Sequence, residues 1–505
     1  MDVVTAQEMY EWDRVAIKST GLDGRLLMEN AGRAVSSDLE KKLGTHQRVI
    51  ILIGAGNNGG DGFVIARTLL NRGYSVEAWQ IVSDSKVEGD ARYHKEIFIK
   101  SGYTLYKLEK TDDLSESLKS ADVIVDAMLG IGVKGRLREP VKQVVELANE
   151  QRAFRVAVDL PTGVPADEGI VEFDAFKADY TCIIAALKMS ALVEHTRVYY
   201  GEWKVCDIGL PVKKLPSPSR KVWQREGGRR VLPGRDPNSH KGSHGKALVV
   251  GGAAHMPGSI AMSAKAALRS GAGLVTIATP KSAMNAVASY VQEATFLPLA
   301  EERGVIKDSA GVDVSAYDGV AIGMGMGRGQ ESNNLVSHLI STVKAPLLID
   351  ADALYQLKNL VGLLRSRTYP TILTPHPGEF AHLVDQSISA IVRSPFSYSR
   401  EFSKAYGVYT VLKGPATIIT APDGSQFVDL SGNAGLAKGG SGDVLSGILL
   451  AMMLQSGSIT YALNNGCMLH GLTAEMLTKD AHSMVDLLAT DLVEGLTQTF
   501  RTFSS

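Results

Sequence analysis

The sequence predicts an α/β protein of two domains, each built on a mostly parallel sheet with helices on both faces. Three observations predict it. At 505 residues the chain exceeds what one hydrophobic core usually supports. Apolar runs alternate with amphipathic stretches along both halves, as strand–helix–strand units require. The alternation breaks near Leu210, where "LPVKKLPSPSRKVWQREGGRR" mixes prolines, serines and basic residues and reads as a linker.

In the first half, "RVIILIGAG" reads as a buried strand ending in a tight turn and "GFVIARTLLNRG" as the helix after it. "YSVEAWQIV", "ADVIVDAMLG" and "FRVAVDLPTG" are further strands, with helices at "EGDARYHKEIFIKSG" and "PVKQVVELANE" between them. A second series starts at "GKALVVGGAA" and continues through "GLVTIATP", "GVAIGMGMG", "APLLIDADAL", "TILTPHPGEF" and "VYTVLKGPATIITAP". "APDGSQFVDL" adds an Asp-Gly hairpin signal. The expected division is 1–212 for the first domain, 213–230 for the linker and 231–505 for the second. Ligands of such sheets sit beyond the carboxyl ends of the strands, so the loops after Ile53, Met128 and Val158 are candidate site loops.

Composition narrows the function. A formal charge of −1 supplies no global field toward nucleic acid or anionic membrane, so the expected partners are small molecules recognised locally. Cys182, Cys206 and Cys467 are widely spaced, against a disulfide framework or a cysteine-based zinc site. The first residues carry acids among the apolar ones, and no run reaches the roughly 18 apolar residues of a membrane span. A reducing cytoplasm is the expected compartment, and a homo-oligomer the expected state.

"NAGLAKGGSGDVLSG" (residues 433–447) runs glycines into Asp443 and then an apolar helix. Backbone N–H groups at such a helix start attract anions, and the same field favours an ionised Asp443. A carboxylate there is also where phosphoryl transfer to an alcohol needs a base. Alone, Asp443 reads better as a helix cap. Three neighbours favour chemistry: "KGPAT" (413–417) with a cation and a hydroxyl, "TPHPGE" with His376 between prolines, and "GMGMG" (323–327). "GSHGKA" is too short for a Walker loop and lacks the Ser/Thr after Lys246. His240 and His244, four apart, lack the partners of a metal site.

The ensemble "NSHKGSHGKALVVGG", "PGSIAMSAKAALRSGAG", "IDADAL", "LTPHPGE", "KGPATII" and "GNAGLAKGGSGDVLSG" closely resembles the nucleotide-dependent NAD(P)H-hydrate dehydratases, from about Ser239 onward. The resemblance implies a ribokinase-like fold, ADP or ATP as phosphoryl donor and magnesium. It implies Asp443 as the base, Lys413, Gly414, Pro415, Ala416, Thr417 and Gly442 around the nucleotide, and Ser259, Ile260, Gly325, His376 and Asp443 around the hydrate.

In the first half, "GAGNNGGDG" (54–62) matches G-x-G-x-x-G at Gly54, Gly56 and Gly59, a weak signal alone. The acid expected at the end of the next strand is missing, since Glu77 lies inside it and Asp84 beyond, which disfavours a dehydrogenase. Two asparagines offer carbonyl oxygens suited to a hard cation or a ligand. Asp126 closes the next strand, and Asp159 with Thr162 closes the one after. Together with "GRLLMENAG", these stretches resemble the NAD(P)H-hydrate epimerases of the YjeF N-terminal family, a Rossmann-like three-layer αβα sandwich, over about residues 6–210. The resemblance implies hydrate contacts at Asn57, Asn58, Gly59, Gly60, Asp61, Gly130, Ile131, Gly132, Val133, Lys134, Gly135, Arg136 and Asp159. It also implies a potassium ion on Asn58, Asp126 and Thr162. One departure stands out: where the family often has "TFGxxKxG", the chain has "TCIIAALKMSAL", keeping Lys188 without its flanking glycines.

The fused pair implies repair of hydrated NADH and NADPH. The first half would interconvert the R and S hydrates, Asp159 giving and taking the proton. The second would phosphorylate the C6 hydroxyl of the S form so that it departs as phosphate. The rival reading is a ribokinase-like small-molecule kinase fused to a non-catalytic nucleotide-binding module.

Overall fold

The computed structural model describes residues 1–133, 135–307 and 312–504, and the chain divides into two units, Met1–Pro218 and Ser219–Ser505. In the first unit the strands are β1 (Arg48–Ile53), β2 (Ser75–Gln80), β3 (Leu105–Lys107), β4 (Val123–Ala127), β5 (Phe154–Val158), β6 (Tyr180–Ile184) and β7 (Glu202–Cys206). Their spatial order is β3-β2-β1-β4-β5-β6-β7, and every neighbouring pair is parallel. The order reverses between β1 and β4, which opens a crevice beyond their carboxyl ends. Residues 49–53 are fully buried, as expected of a central strand covered on both faces.

Three helices frame that crevice: α1 (Ala6–Thr20), α2 (Gly24–Leu39) and α3 (Asn57–Asn71). Thr5 and Glu8 form a capping box that starts α1. Just ahead of it, Val3 and Val4 pair in parallel with Leu187 and Lys188, which anchors α1 beside Lys188. Helix α3 starts directly after β1. A Cβ on Gly54 would stand 1.8 Å from the Met128 carbonyl oxygen, so only glycine lets β1 turn into α3 against the neighbouring loop. Cys182 and Cys206, 24 positions apart, meet across β6 and β7 with Asp38, their ligand-type atoms within 4.8 Å of one another. Spacing along the chain gave no sign of this, because the pairing of β6 with β7 creates it.

The second unit holds β8 (Arg220–Val222), β9 (Lys246–Val250), β10 (Leu274–Pro280), β11 (Thr295–Leu299), β12 (Gly319–Ile322), β13 (Leu347–Ile349), β14 (Thr371–Leu373), β15 (Tyr409–Leu412), β16 (Thr417–Thr420) and β17 (Gln426–Asp429). They form one sheet in the order β8-β17-β16-β15-β14-β13-β12-β9-β10-β11. Only the β15–β16 and β16–β17 pairs are antiparallel in it. "KGPAT" makes the first of these two turns, and Asp423-Gly424 makes the expected hairpin, with Gly424 at φ 87°. The linker expected over 213–230 is too long. Arg220 to Val222 pair in parallel with Gln426 to Val428, and a helix, Arg225–Val231, follows. A three-residue edge strand bearing two basic residues leaves no apolar run to read.

Helices α4 (Pro257–Arg269), α5 (Pro377–Val384), α6 (Ser441–Gln455) and α7 (Ile459–Asp480) carry or support the second site. Helix α6 is buried from Val444 through Met453. It packs so tightly on α4 that a Cβ on Gly447 would lie 2.0 Å from the Ser263 carbonyl oxygen. Its first turn is therefore rigidly placed. Among the described residues, no helix is long and apolar enough to cross a membrane.

Candidate active sites

In the second unit Asp443 stands in the first turn of α6, behind Gly440 in the left-handed conformation. Its carboxylate does not cap the helix; it hydrogen-bonds the Ser259 hydroxyl at the start of α4. Burial, with Asp350 and Asp352 nearby, pushes its pKa up to about 6, against the pull of Ser259 and Lys413. Desolvation outweighs the helix-start field that would hold such a carboxylate low, so the group is mostly ionised at neutral pH but gains its proton about two units earlier than an ordinary aspartate.

Gly325, at φ 64°, completes this corner. A Cβ there would stand 3.1 Å from the Ser259 Cβ, so Gly325, Ser259 and Asp443 converge. Ile260 differs: its side chain is wholly buried in the core, so only its backbone can face a ligand. His376 caps α5, its Nδ1 accepting from the Gly378 and Glu379 amides at 3.0 and 3.2 Å. Glu379 returns the bond to the His376 amide at 2.9 Å, so the ring's first task is to fix Glu379.

Lys413 leaves β15 and donates to Asp350 Oδ1 at 3.3 Å, with Glu379 Oε2 4.0 Å away. Burial alone would lower its pKa; Asp350 and Glu379 outweigh that and raise it. Asp350 is held in turn by the Ser446 hydroxyl at 2.5 Å. The Lys413 ammonium lies 3.4 Å from where a Cβ on Gly442 would stand, directly under the start of α6. Gly414 and Pro415 are exposed, Ala416 and Thr417 half-buried. Lys413, the exposed Gly414–Pro415 turn and Gly442 therefore border one open cradle, with a carboxylate of raised pKa at its edge. Such an arrangement has the chemistry to bind phosphate and to accept a proton from an alcohol. Asp350 and Glu379 lay inside quoted motifs, yet their roles show only once strand ends meet.

In the first unit a cavity of about 740 Å³ opens at the β1–β4 crevice. Asn57, Asn58, Asp61, Gly130, Ile131, Gly132, Val133, Arg136 and Asp159 line it, as expected. Gly59, Gly60 and Gly135 do not; the first two pack against backbone and Met28. Lys134 lies outside the described residues. Asp159, at φ 70°, accepts from the Ile184 amide at 3.0 Å and from the buried ammonium of Lys188. Ala185, in the stretch where the family pattern has glycine, stands at φ 64°, a left-handed conformation that favours glycine. Asp61 is pushed well up by burial, then by Asp159 and Asp13.

Behind the cavity, Asp126 is wholly buried and accepts from the Thr162 amide and hydroxyl at 2.7 Å each and from the Met128 amide at 3.1 Å. Burial still pushes it up to about 6. Asn58 donates to the Leu129 carbonyl at 2.9 Å, leaving its buried Oδ1 without a partner among the described residues. Glu77 and Asp84, the acids a dinucleotide site would recruit, are engaged by Arg48 and by Lys95 and Lys107.

Comparison with known proteins accounts for both constellations. A family model described as NAD(P)H-hydrate dehydratase matches residues 247–498, and one described as YjeF-related protein N-terminus matches residues 24–190. The bifunctional NAD(P)H-hydrate repair enzyme of Moorella thermoacetica is 34% identical over 514 residues, 99% of this chain and 97% of that one. The chain belongs to the bifunctional NAD(P)H-hydrate repair enzymes. Its second unit is similar to a Bacillus subtilis ADP/ATP-dependent NAD(P)H-hydrate dehydratase co-crystallised with ATP and Mg2+, at 33% identity and a TM-score of 0.51 over 56% of this chain and 98% of that one. A ribokinase-like superfamily protein of Enterococcus faecalis, 24% identical with a TM-score of 0.50 over 57% of this chain and 98% of that one, shares the fold. As a repair enzyme of this family, the chain carries an epimerase-type and a dehydratase-type domain.

Proposed function

We propose that this repair enzyme returns both C6 epimers of hydrated NADH or NADPH to the reduced cofactor at the expense of ADP or ATP. The observation that carries the reading is Asp443 at the start of α6, bonded to Ser259 and beside the Lys413 ammonium. Asp443 takes the proton of the C6 hydroxyl as that oxygen attacks the terminal phosphorus. Hydroxide leaves poorly; phosphate leaves well, expelled by the lone pair of the ring nitrogen, and loss of a C5 proton restores the double bond. Lys413, the 414–417 turn and Gly442 hold the nucleotide phosphates. Ser259, the Ile260 backbone, Gly325 and His376 border the hydrate. Mg2+ carried on those phosphates would screen their charge, and Asp350 and Glu379 are the carboxylates beside Lys413 that would face it.

In the first unit, Asn57, Asn58, Asp61, the 130–136 loop and Asp159 hold the hydrate, and Asp159 exchanges the proton that lets water leave and return at C6. Potassium fits the oxygens behind the cavity: the unpartnered Asn58 Oδ1, the wholly buried Asp126 carboxylate and the Thr162 hydroxyl. Such a cation would supply fixed positive charge next to the bound nucleotide.

The test is incubation of mixed R and S NADH hydrates with and without ADP or ATP. Full recovery of NADH absorbance with nucleotide, and none with the Asp443→Asn enzyme, is expected. A stable phosphorylated product without NADH would mean a kinase instead.

A further inference from the structure

Helix α1 presents two faces. Trp12 and Ala16 are buried against the first unit, Met9 is buried and also borders the 740 Å³ cavity, and a second stripe of Tyr10, Asp13 and Ile17, at i, i+3 and i+7, lines that cavity. The two apolar members of that second stripe, Tyr10 and Ile17, are 48% and 41% exposed, because the cavity is what they face. Tyr10 reaches the 130–136 loop: a Cβ on Gly132 would stand 3.0 Å from its hydroxyl. Asp13, between them, has only a half-buried carboxylate and accepts no hydrogen bond among the described residues.

A carboxylate in such a stripe requires a reason. Asp13 is not a cap, since Thr5 and Glu8 already close that end of α1. It is not part of the surface pair on this helix, Arg14 with Glu11. The charged groups that act on it come from other elements: Lys188 next to the Val4 pairing, and Asp159 after β5. Asp13 and Asp159 act in turn on Asp61 in α3. Asp13, Asp61 and Asp159, three of the five carboxylates that line the cavity, thus act on one another around the buried ammonium of Lys188, which is already engaged by Asp159 and the Ile184 carbonyl.

We propose that Asp13 is a second catalytic residue of the epimerase site, exchanging a proton with the C6 oxygen from the α1 side while Asp159 does so from the strand ends. The inference rests on the epimerase reading of the first unit. Inverting C6 requires water to depart from one face of the ring and to return to the other, and one fixed carboxylate serves one face. In the first half-reaction the C6–O bond breaks, its electron pair goes to oxygen, and the oxygen takes the proton of one carboxyl to leave as water. The ring nitrogen's lone pair forms the N1=C6 bond. In the second, a water oxygen forms the new C6–O bond on the opposite face, N1 regains its lone pair, and the surplus proton passes to the other carboxylate. Atoms, electrons and protons balance without a co-reactant. Burial and Asp159 push Asp13 up to about 6, where it can serve as either acid or base near neutrality.

The full-length chain provides its own control. With mixed hydrates and excess ADP, NADH recovery has a fast phase from S hydrate and a second phase that R hydrate feeds through the epimerase. In Asp13→Asn the second phase is expected to slow by about 10²–10⁴-fold, with the S phase unchanged and the KM for R hydrate nearly so. Asp13→Glu is expected to restore part of the rate, and the acid limb near pH 6 of the R phase should vanish in Asp13→Asn. An undiminished second phase, or a rise in KM alone, overturns the assignment. A wild-type chain with no second phase above the buffer rate removes the epimerase reading itself, a different result from a wild type that works and a variant that works equally.

Discussion

Replacing Asp443 with Asn should inactivate the dehydratase and stabilise its domain at the same time. The carboxyl is held at about pKa 6, whereas an unfolded aspartate titrates near ~3.9. A group whose folded pKa is raised holds its proton more tightly in the folded state, so ionising it costs stability. The cost is absent below about pH 4, builds between about 4 and 6, and is complete above. A gap of about 2 units corresponds to roughly 3 kcal/mol, an upper value for a mostly buried group. Asn keeps the shape and a partner for Ser259 but carries no charge. The second unit's unfolding transition should therefore rise by on the order of 6 °C at pH 8, with the gain shrinking toward zero as pH falls to about 4. NADH recovery from S hydrate should drop about 10²–10⁴-fold, and in the wild type it should fall as pH drops through about 6. Calorimetry across that range, alongside the hydrate assay, checks both. A variant that is less stable at pH 8, or equally stabilised at both ends of the range, would refute the burial argument. Undiminished turnover would refute the base.

Three further outcomes are expected. Asn58→Leu, which removes the unpartnered Oδ1, should abolish any acceleration of R-hydrate interconversion when potassium replaces a bulky organic cation, read as the rate of the second NADH phase. Lys188→Met should strand the Asp159 charge and lower the first unit's stability by on the order of 3 kcal/mol, measured by denaturant unfolding, while S-hydrate dehydration persists. Gly442→Val, which pushes branched carbon toward the Lys413 ammonium, should raise the KM for ADP or ATP at least about tenfold (~1.4 kcal/mol) with little change in thermal stability.

The strands were legible because a central parallel strand is apolar on both faces and stops at a glycine. Ile50 to Ile53 followed by Gly54 shows this. Asp443 stood out in the sequence only in company: a glycine run before an apolar helix equally suits a cap, and the KGPAT, TPHPGE and GMGMG stretches are what pointed to chemistry there. The strand at Arg220–Val222 was not, because an edge strand of three residues has no period to read. Asp13 was equally hidden. Helix α1 carries Glu8, Glu11 and Arg14 as any surface helix does, and only the pairing of Val3 and Val4 beside Lys188 turns Asp13 toward the cavity. Ile260 shows the converse: the resemblance implied a hydrate contact there, but the roughly 100° step from Ser259 along the helix sends its side chain into the core.

The two sites share one electrostatic device. Each gathers several carboxylates around one buried lysine: Asp13, Asp61 and Asp159 around Lys188, and Asp350, Glu379 and Asp443 around Lys413. In each the ammonium is engaged by one of these carboxylates, Asp159 or Asp350. A further carboxylate, Asp13 or Asp443, takes the burial and the like-charge repulsion, and is pushed up to about 6. Neutralising every acid with its own cation would remove that upward push. A shortage of cations is thus what lifts Asp13 and Asp61 in one cluster, and Asp443 in the other, above the ordinary carboxylate range. It follows that a lysine added beside either acid should restore an ordinary carboxylate pKa and remove activity while leaving the acid in place.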